Sequence, residues 1–178
     1  MSLTIFRAGL DAVPDVHALI RETADWLIAK GEPLWGPNET SHDDLCRVAA
    51  AGELVIGREG AELATCMFLH HEDRLFWPDA AAGEAFYVHR LAVARKFAGR
   101  SYSRAMLDWA VAEVSAKGRL YLRLDCEPRP KLLALYKSAG FERIDPQPIQ
   151  VGQHFVVRHE KEVCGLSGGN QLRHIGRE

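Results

Sequence analysis

Tyr87–Met106, YVHRLAVARKFAGRSYSRAM, decides how this chain is read. Tyr87 to Val93 is apolar and β-rich apart from His89 and Arg90, which predicts a buried strand. Gly99 and the polar run Arg100, Ser101, Tyr102, Ser103 end it in a tight turn. After the turn Ala105, Met106, Trp109, Ala110 and Val114 recur at helical spacing. A strand, a small-residue turn and a helix leave the first N–H groups of the helix without partners inside it. They point one way, with the positive end of the helix dipole behind them, and so form a seat for an anion. From Ala85 to Leu107 there is no Asp or Glu, while Arg90, Arg95, Lys96, Arg100 and Arg104 are present, in a chain of formal net charge -2. A local positive stretch on a slightly acidic protein favours a small polyanion over a nucleic-acid surface. The plainer reading is that any α/β protein has such turns and that exposed arginines are merely solvated.

The length of 178 residues suits one well-buried domain. The apolar share of 47% and charged share of 26% are those of an ordinary soluble protein. No apolar run is long enough for a membrane span, and MSLTIFRAGL lacks the regions of a signal peptide, so a cytoplasmic protein is expected. Cys46, Cys66, Cys126 and Cys164 are widely spaced, without zinc or dithiol patterning, and read as reduced packing residues. Residues 1–162 are expected to form the single domain and 163–178, rich in Gly and polar residues, a loosely ordered tail.

Outward from the central stretch, Leu3–Ala8 predicts a first strand. A helix capped by Asp11 or Asp15 follows, with Pro14 in its first turn and Gly31 at its end. Trp35 lies in the turn-rich run Glu32–Asn38, either as a plug on the core or as a wall of a pocket. Ser41 and Asp44 form a capping-box pattern for a second short helix. Leu54–Gly57 and Ala61–Leu69 read as a hairpin. His70, His71, Glu72 and Asp73 invite a metal reading, but neighbours on a strand point to opposite faces and no third ligand is suitably spaced; no metal is expected. Beyond the central helix, Leu120, Leu122 and Leu124 alternate with polar residues in another strand. Pro128 and Pro130 open a helix closed by Gly140, and Phe141–Ile144 and Val151–Val157 supply the last strands.

LAVARKFAGRSYSRAMLDWA resembles the acetyl-CoA-binding segment of the GNAT superfamily of N-acetyltransferases, and LYKSAGF resembles that family's closing Tyr and Gly-Phe element. The family's turn has Arg or Gln, two residues, Gly, one residue, then Gly or Ala. Here those positions hold Ala98, Ser101 and Ser103, with Gly99, Arg100 and Tyr102 between them. The frame matches, the letters do not: each serine adds a hydroxyl donor and brings a Cβ near the pyrophosphate. The resemblance spans roughly residues 3 to 160. It implies a mixed, mostly antiparallel α/β sheet flanked by helices, whose central strands splay so that the pantetheine arm pairs with the edge Leu91, Ala92, Val93 like an added strand. It also implies Tyr136 as general acid and the N–H of Leu91 or Ala92 as oxyanion donor.

An amine attacking a thioester must lose its proton, the developing oxyanion must find donors, and the thiolate must be protonated. A phenol with pKa near ~10 can hold a proton for that thiolate. The plain alternative is that Tyr136 is an amphipathic-helix residue with a wet hydroxyl. For the base, the resemblance points to a carboxylate on or just before the central strand, where Glu84 lies. His89 is the second candidate, because an imidazole can take a proton near pH 7, with a plain packed histidine as the alternative. His89 and Arg90 face opposite sides unless a bulge intervenes. Cys126 near a strand end is the candidate acyl carrier. Trp26, Trp35 and Trp77 are candidate walls of the acceptor pocket, and Glu32, Asp43 and Asp44 can attract a cationic amine. The expected function is acetyl-CoA-dependent transfer to a primary amine of a small molecule, without nucleic acid or membrane as partner. A catalytically silent acyl-CoA sensor or interaction module is the alternative, and a homodimer is left open.

Overall fold

The computed structural model describes residues 2–36 and 40–163. Pro37 and Asn38 of the turn-rich run, and residues 164–178 of the expected tail, lie outside them. Val163 belongs to the domain: it is buried, and its N–H donates to Leu120 O at 2.8 Å.

Strand β1 (Leu3–Arg7) leads through a 3₁₀ turn (Leu10–Ala12) into helix α1 (Val13–Ala29). Neither Asp11 nor Asp15 caps α1. The incoming turn already places Ala12 in the right-handed helical region as N-cap, so no side-chain oxygen occupies the capping position, and Pro14 sits in the first turn as expected. Helix α2 (His42–Ala50) does open on the capping box: the Asp44 N–H donates to Ser41 Oγ at 3.1 Å and the Ser41 N–H to Asp44 Oδ2 at 3.0 Å. The hairpin follows as β2 (Leu54–Glu59) and β3 (Glu62–His70), then β4 (Ala85–Val93), α3 (Tyr102–Ala116) and β5 (Tyr121–Cys126). Helix α4 (Pro130–Ser138) begins on Pro130. The chain ends in β6 (Glu142–Arg143), shorter than expected, β7 (Ile149–Val151) and β8 (His154–Glu162).

The sheet runs β1-β2-β3-β4-β5-β8-β6, with β7 paired to β8 beside it. All pairings are antiparallel except β4–β5, whose parallel direction requires the crossover that α3 supplies. Alternation along the strands feeds two apolar layers. Leu54, Ile56, Cys66 and Phe68 pack with Val16, Leu19 and Leu45 of α1 and α2. Val55, Met67 and Leu69 pack with Met106, Ala110 and Val114 of α3 and with Tyr136 of α4. No helix among the described residues is long and apolar enough to cross a membrane.

Strand β4 changes phase halfway. Phe68 faces His89 and Cys66 faces Ala92, so Met67 alone stands opposite Arg90 and Leu91, and Arg90 adopts φ 50°. This is a β-bulge. Before it, Phe86 and Val88 point into the α3 layer; after it, Ala92 and Ala94 point into the α1 layer. The parallel pairing with β5 covers only Ala85–Val88 against Tyr121–Leu124. Beyond Val88 the two strands part.

Candidate active site

The turn between β4 and α3 keeps main-chain donors open. Gly99 (φ 81°) and Ser101 (φ 60°) are both left-handed, and Ser101 caps α3 without a side-chain hydrogen bond. The Ala98 N–H is spent on Arg95 O at 3.2 Å and that of Arg100 on Phe97 O at 3.4 Å. Among the described residues, no acceptor takes the N–H groups of Gly99, Ser101, Tyr102, Ser103 or Arg104. Alternating left-handed residues gather amides into an anion-binding concavity at a helix start.

The basic side chains around this turn are committed elsewhere. Arg100 Nη1 lies 2.9 Å from both oxygens of the buried Glu59, which the Tyr102 hydroxyl also contacts. Lys96 pairs with Glu62, Arg104 with Asp108 at 2.9 Å, and Arg95 stacks on Trp26 at 3.6 Å. The anion seat is therefore built from peptide N–H groups rather than from the arginines that flagged it. Ala98 and Arg100 shape the turn, and the open amides belong to their neighbours.

Where the strands part, backbone groups of β4 lose their partner. Ala94 N–H donates to Ala64 O at 2.9 Å, and Ala92 O accepts from Thr65 Oγ1 at 2.7 Å, both toward β3. Backbone direction alternates along a strand, so the amides and carbonyls of Leu91 and Val93 face the side that β5 has left. Ala92 turns its amide toward β3 and cannot supply the oxyanion donor; Leu91 can.

This edge opens on a cavity of about 660 Å³, into which the bulge lets His89, Arg90 and Leu91 all turn. Tyr136 and Cys126 line it from α4 and β5. The Tyr136 ring is 8% exposed and packs on Phe141 and His159, each at 5.9 Å. Burial, with Cys126 and Asp125 nearby, pushes its phenol well above the ordinary tyrosine range, so it keeps its proton. The Cys126 thiol is pushed up to about 12 by burial and by Asp125 and Glu127. A raised pKa disfavours the nucleophilic thiolate that an acyl carrier would use.

At the fork stands a cluster of histidines and carboxylates. His89 Nε2 is 3.1 Å from Asp73 Oδ2, and its Nδ1 is 3.9 Å from Asp125 Oδ1. Burial raises Asp73, but His89 and the amides of Phe76 and Leu75 outweigh it and hold the carboxyl below its ordinary value. Asp125 is shifted up by burial and by the charge of Asp73. Next to His89, at 5.1 Å between ring centres, lies His70, whose Nδ1 sits 2.6 Å from Glu53 Oε2. Glu53, Asp125 and Glu127 bring carboxylates to this wall, a charge suited to an ammonium group.

Trp35 is buried and lines the cavity beneath Arg90, whose guanidinium lies 5.5 Å from its ring and whose Nε donates to Thr40 Oγ1 at 3.1 Å. Asp44 lines the cavity as well, but its carboxylate is engaged by Ser41 and Arg47. Trp26 does not line it, being covered by Arg95 and by Lys30 at 4.5 Å. Trp77 is absent too, packed on Tyr87 at 6.1 Å with Arg123 over its ring. Glu84 is excluded by position: it pairs with Arg123 at the closed end of β4–β5, where its carbonyl accepts from Leu120 and Tyr121. Five residues of strand put it roughly 16 Å from His89 along β4. Sequence reasoning misses Glu53 and Asp125 and meets His70 and Asp73 only in the metal reading it sets aside, although an aspartate following Leu122 and Leu124 in a buried strand is a visible signal.

A strand pair that parts after a bulge, open amides at the following helix and a buried tyrosine on the next one define an acyl-CoA-type transferase site. The chain belongs to the GNAT family: the model of the Acetyltransferase (GNAT) family matches residues 18–141. The uncharacterized N-acetyltransferase YesJ of Bacillus subtilis (strain 168) is 30% identical over 134 residues, covering 71% of this chain and 74% of the relative. A GNAT-family acetyltransferase structure from Listeria monocytogenes 4b F2365 superposes with TM-score 0.77 at 24% identity over 90% of this chain and 94% of that one. The putative acetyltransferase yncA of Salmonella typhimurium, solved with its cofactor acetyl-CoA, superposes with TM-score 0.70 at 11% identity over 97% and 100%. At these identities the structural matches speak to the fold.

Proposed function

We propose that this chain is an N-acetyltransferase that moves the acetyl group of acetyl-CoA to the primary amine of a small molecule by direct attack on the thioester. The observation that carries this reading is one continuous arrangement. The open amides of Gly99, Ser101, Tyr102 and Ser103 lead to the unpartnered edge Leu91 and Val93, and from there to the cavity that holds Tyr136. The donor set fits the cosubstrate: main-chain N–H groups for a diphosphate, and strand-edge groups for an amide-bearing arm. When bound, acetyl-CoA supplies an activated acyl group and a thiol leaving group.

The chain's own residues do the rest. Leu91 N–H is the donor for the charge that grows on the acyl oxygen. Tyr136, protonated over the whole working range, hands a proton to the departing sulfur. The carboxylate-lined wall at the fork receives the ammonium, and one of the two imidazoles there, His70 or His89, takes its proton. Trp35 borders the acceptor end. The free thiols of Cys46, Cys66 and Cys126 suit a reducing, cytoplasmic compartment.

Thermal shift with acetyl-CoA, followed by CoA release across a panel of primary amines, tests the reading. A hundredfold excess over the dissociation constant should stabilise the fold by about 2.7 kcal/mol, and at least one amine should release CoA. Binding without turnover on any amine would favour the acyl-CoA sensor, which Ser101 and Ser103 in place of small family residues support. Absence of binding would end both readings.

A further inference from the structure

We infer that His70, held by Glu53, is the general base that deprotonates the acceptor amine, and that His89 is a positioning residue beside it. The assignment rests on the acetyl-transfer reading above.

The two histidines stand next to each other but have opposite hydrogen-bonding situations. Glu53 is fixed by two contacts: Oε1 accepts from the His71 N–H at 2.8 Å, and Oε2 meets His70 Nδ1 at 2.6 Å. A carboxylate only accepts, so the proton of this short contact belongs to Nδ1. The neutral ring then carries its lone pair on Nε2. Phe68 at 5.8 Å and His89 at 5.1 Å hold the ring from either side, and His70 lines the cavity. This is the carboxylate-to-imidazole arrangement that selects one tautomer and stabilises the imidazolium once it forms.

His89 has both ring nitrogens directed at carboxylates, Asp73 on one side and Asp125 on the other. Asp73 Oδ2 and Asp125 Oδ1 are buried without a hydrogen-bond partner, and His89 stands between them, so its ring is oriented by two carboxylates rather than by one. The groups facing His70 are Glu53, His89 and Asp73. Burial first, and then the charge of His89, lower its pKa from the ordinary value, with Glu53 and Asp73 opposing. His70 is thus a base oriented by its own carboxylate, beside a histidine held between two others.

The protons balance. An ammonium acceptor gives one proton to His70 Nε2, which later passes to water. The N–C bond forms as the C–S bond breaks, and the amine's second proton replaces the one that Tyr136 gives to the sulfur. Products are the amide, the CoA thiol and one released proton.

Two measurements on the full chain test the assignment. Long-range ¹H–¹⁵N spectra of histidine-labelled protein, with His70→Gln and His89→Gln used to assign the signals, should show His70 as the neutral Nδ1–H tautomer at pH 7. A charged His70, or its Nε2–H tautomer, would overturn the proposal without reference to turnover. In the second, CoA release is followed against pH with the best amine of a series from methylamine to benzylamine. His70→Gln should lose roughly 10²–10⁴-fold in kcat/KM together with the acidic limb, while His89→Gln keeps the limb. Glu53→Gln should move that limb to lower pH, because the charge favouring the imidazolium is gone. Unchanged acetyl-CoA affinity shows that each variant is folded. A limb that survives His70→Gln and disappears in His89→Gln would reverse the roles. Silence of the wild-type protein on every amine would instead defeat the parent reading and take this assignment with it.

Discussion

The two halves of β4 are chemically similar and do opposite things. From Ala85 to Val88 the strand is closed by parallel pairing with β5, and its side chains fill the core. From Arg90 onward no strand among the described residues pairs with it on that side, and its backbone edge opens on the cavity. The difference comes from one extra residue opposite Met67, which reverses the phase of the side chains and bends the strand away from its neighbour. A buried sheet can thus expose unsatisfied peptide groups only where its geometry is broken, and the reactive groups gather at that break.

This contrast can be tested from both ends. At the open end Tyr136→Phe should lower turnover by roughly 10²–10⁴-fold while acetyl-CoA binding stays nearly intact, as read by steady-state kinetics and calorimetry. Unchanged turnover at every pH would remove the phenol from the reaction. Ser101→Asp, which puts a negative charge among the open amides, should weaken acetyl-CoA binding by roughly tenfold. An unaltered dissociation constant would mean that the diphosphate sits elsewhere. At the closed end, Glu84→Gln should cost about 1–3 kcal/mol of stability in chemical denaturation, through the charge taken from Arg123, while leaving turnover unchanged. A loss of activity there would restore Glu84 to the chemistry. The smallest effect is expected for Ser101→Gly, which relieves the left-handed strain of a residue bearing a Cβ: a gain of about 1 kcal/mol, or about 3 °C in Tm. No gain would show that the turn carries no such strain.

Ser41 with Asp44, Pro130 opening α4, and the strand-turn-helix of Tyr87–Met106 were legible because each depends on neighbours in sequence. The anion seat was legible for the same reason, with the backbone N–H groups at the helix start as its donors. A run of arginines without acids marks the place, but only the fold shows Glu59, Glu62 and Asp108 arriving to neutralise three of the basic side chains. Trp26 and Glu84 were misplaced because composition says what a residue is suited to and not what packs beside it. His70 and His71 were correctly read as facing opposite ways, with His71 against Phe86 at 5.1 Å, yet the partner that gives His70 its chemistry lies seventeen residues earlier in sequence.

The sequence alone determined the family through its resemblance, and it determined the order of elements and the amide-lined turn because local periodicity, capping and small residues act over a few positions. Only the tertiary structure decided which groups meet at the fork beside the cavity. Glu53, His70, Asp73, His89 and Asp125 come from β2's approach, β3, the following loop, β4 and β5, and nothing but the packing of the sheet brings them to one fork. The shifts of His70, Asp73 and Asp125 arise there as well, because the burial and the neighbouring charges behind them do not exist before the chain folds.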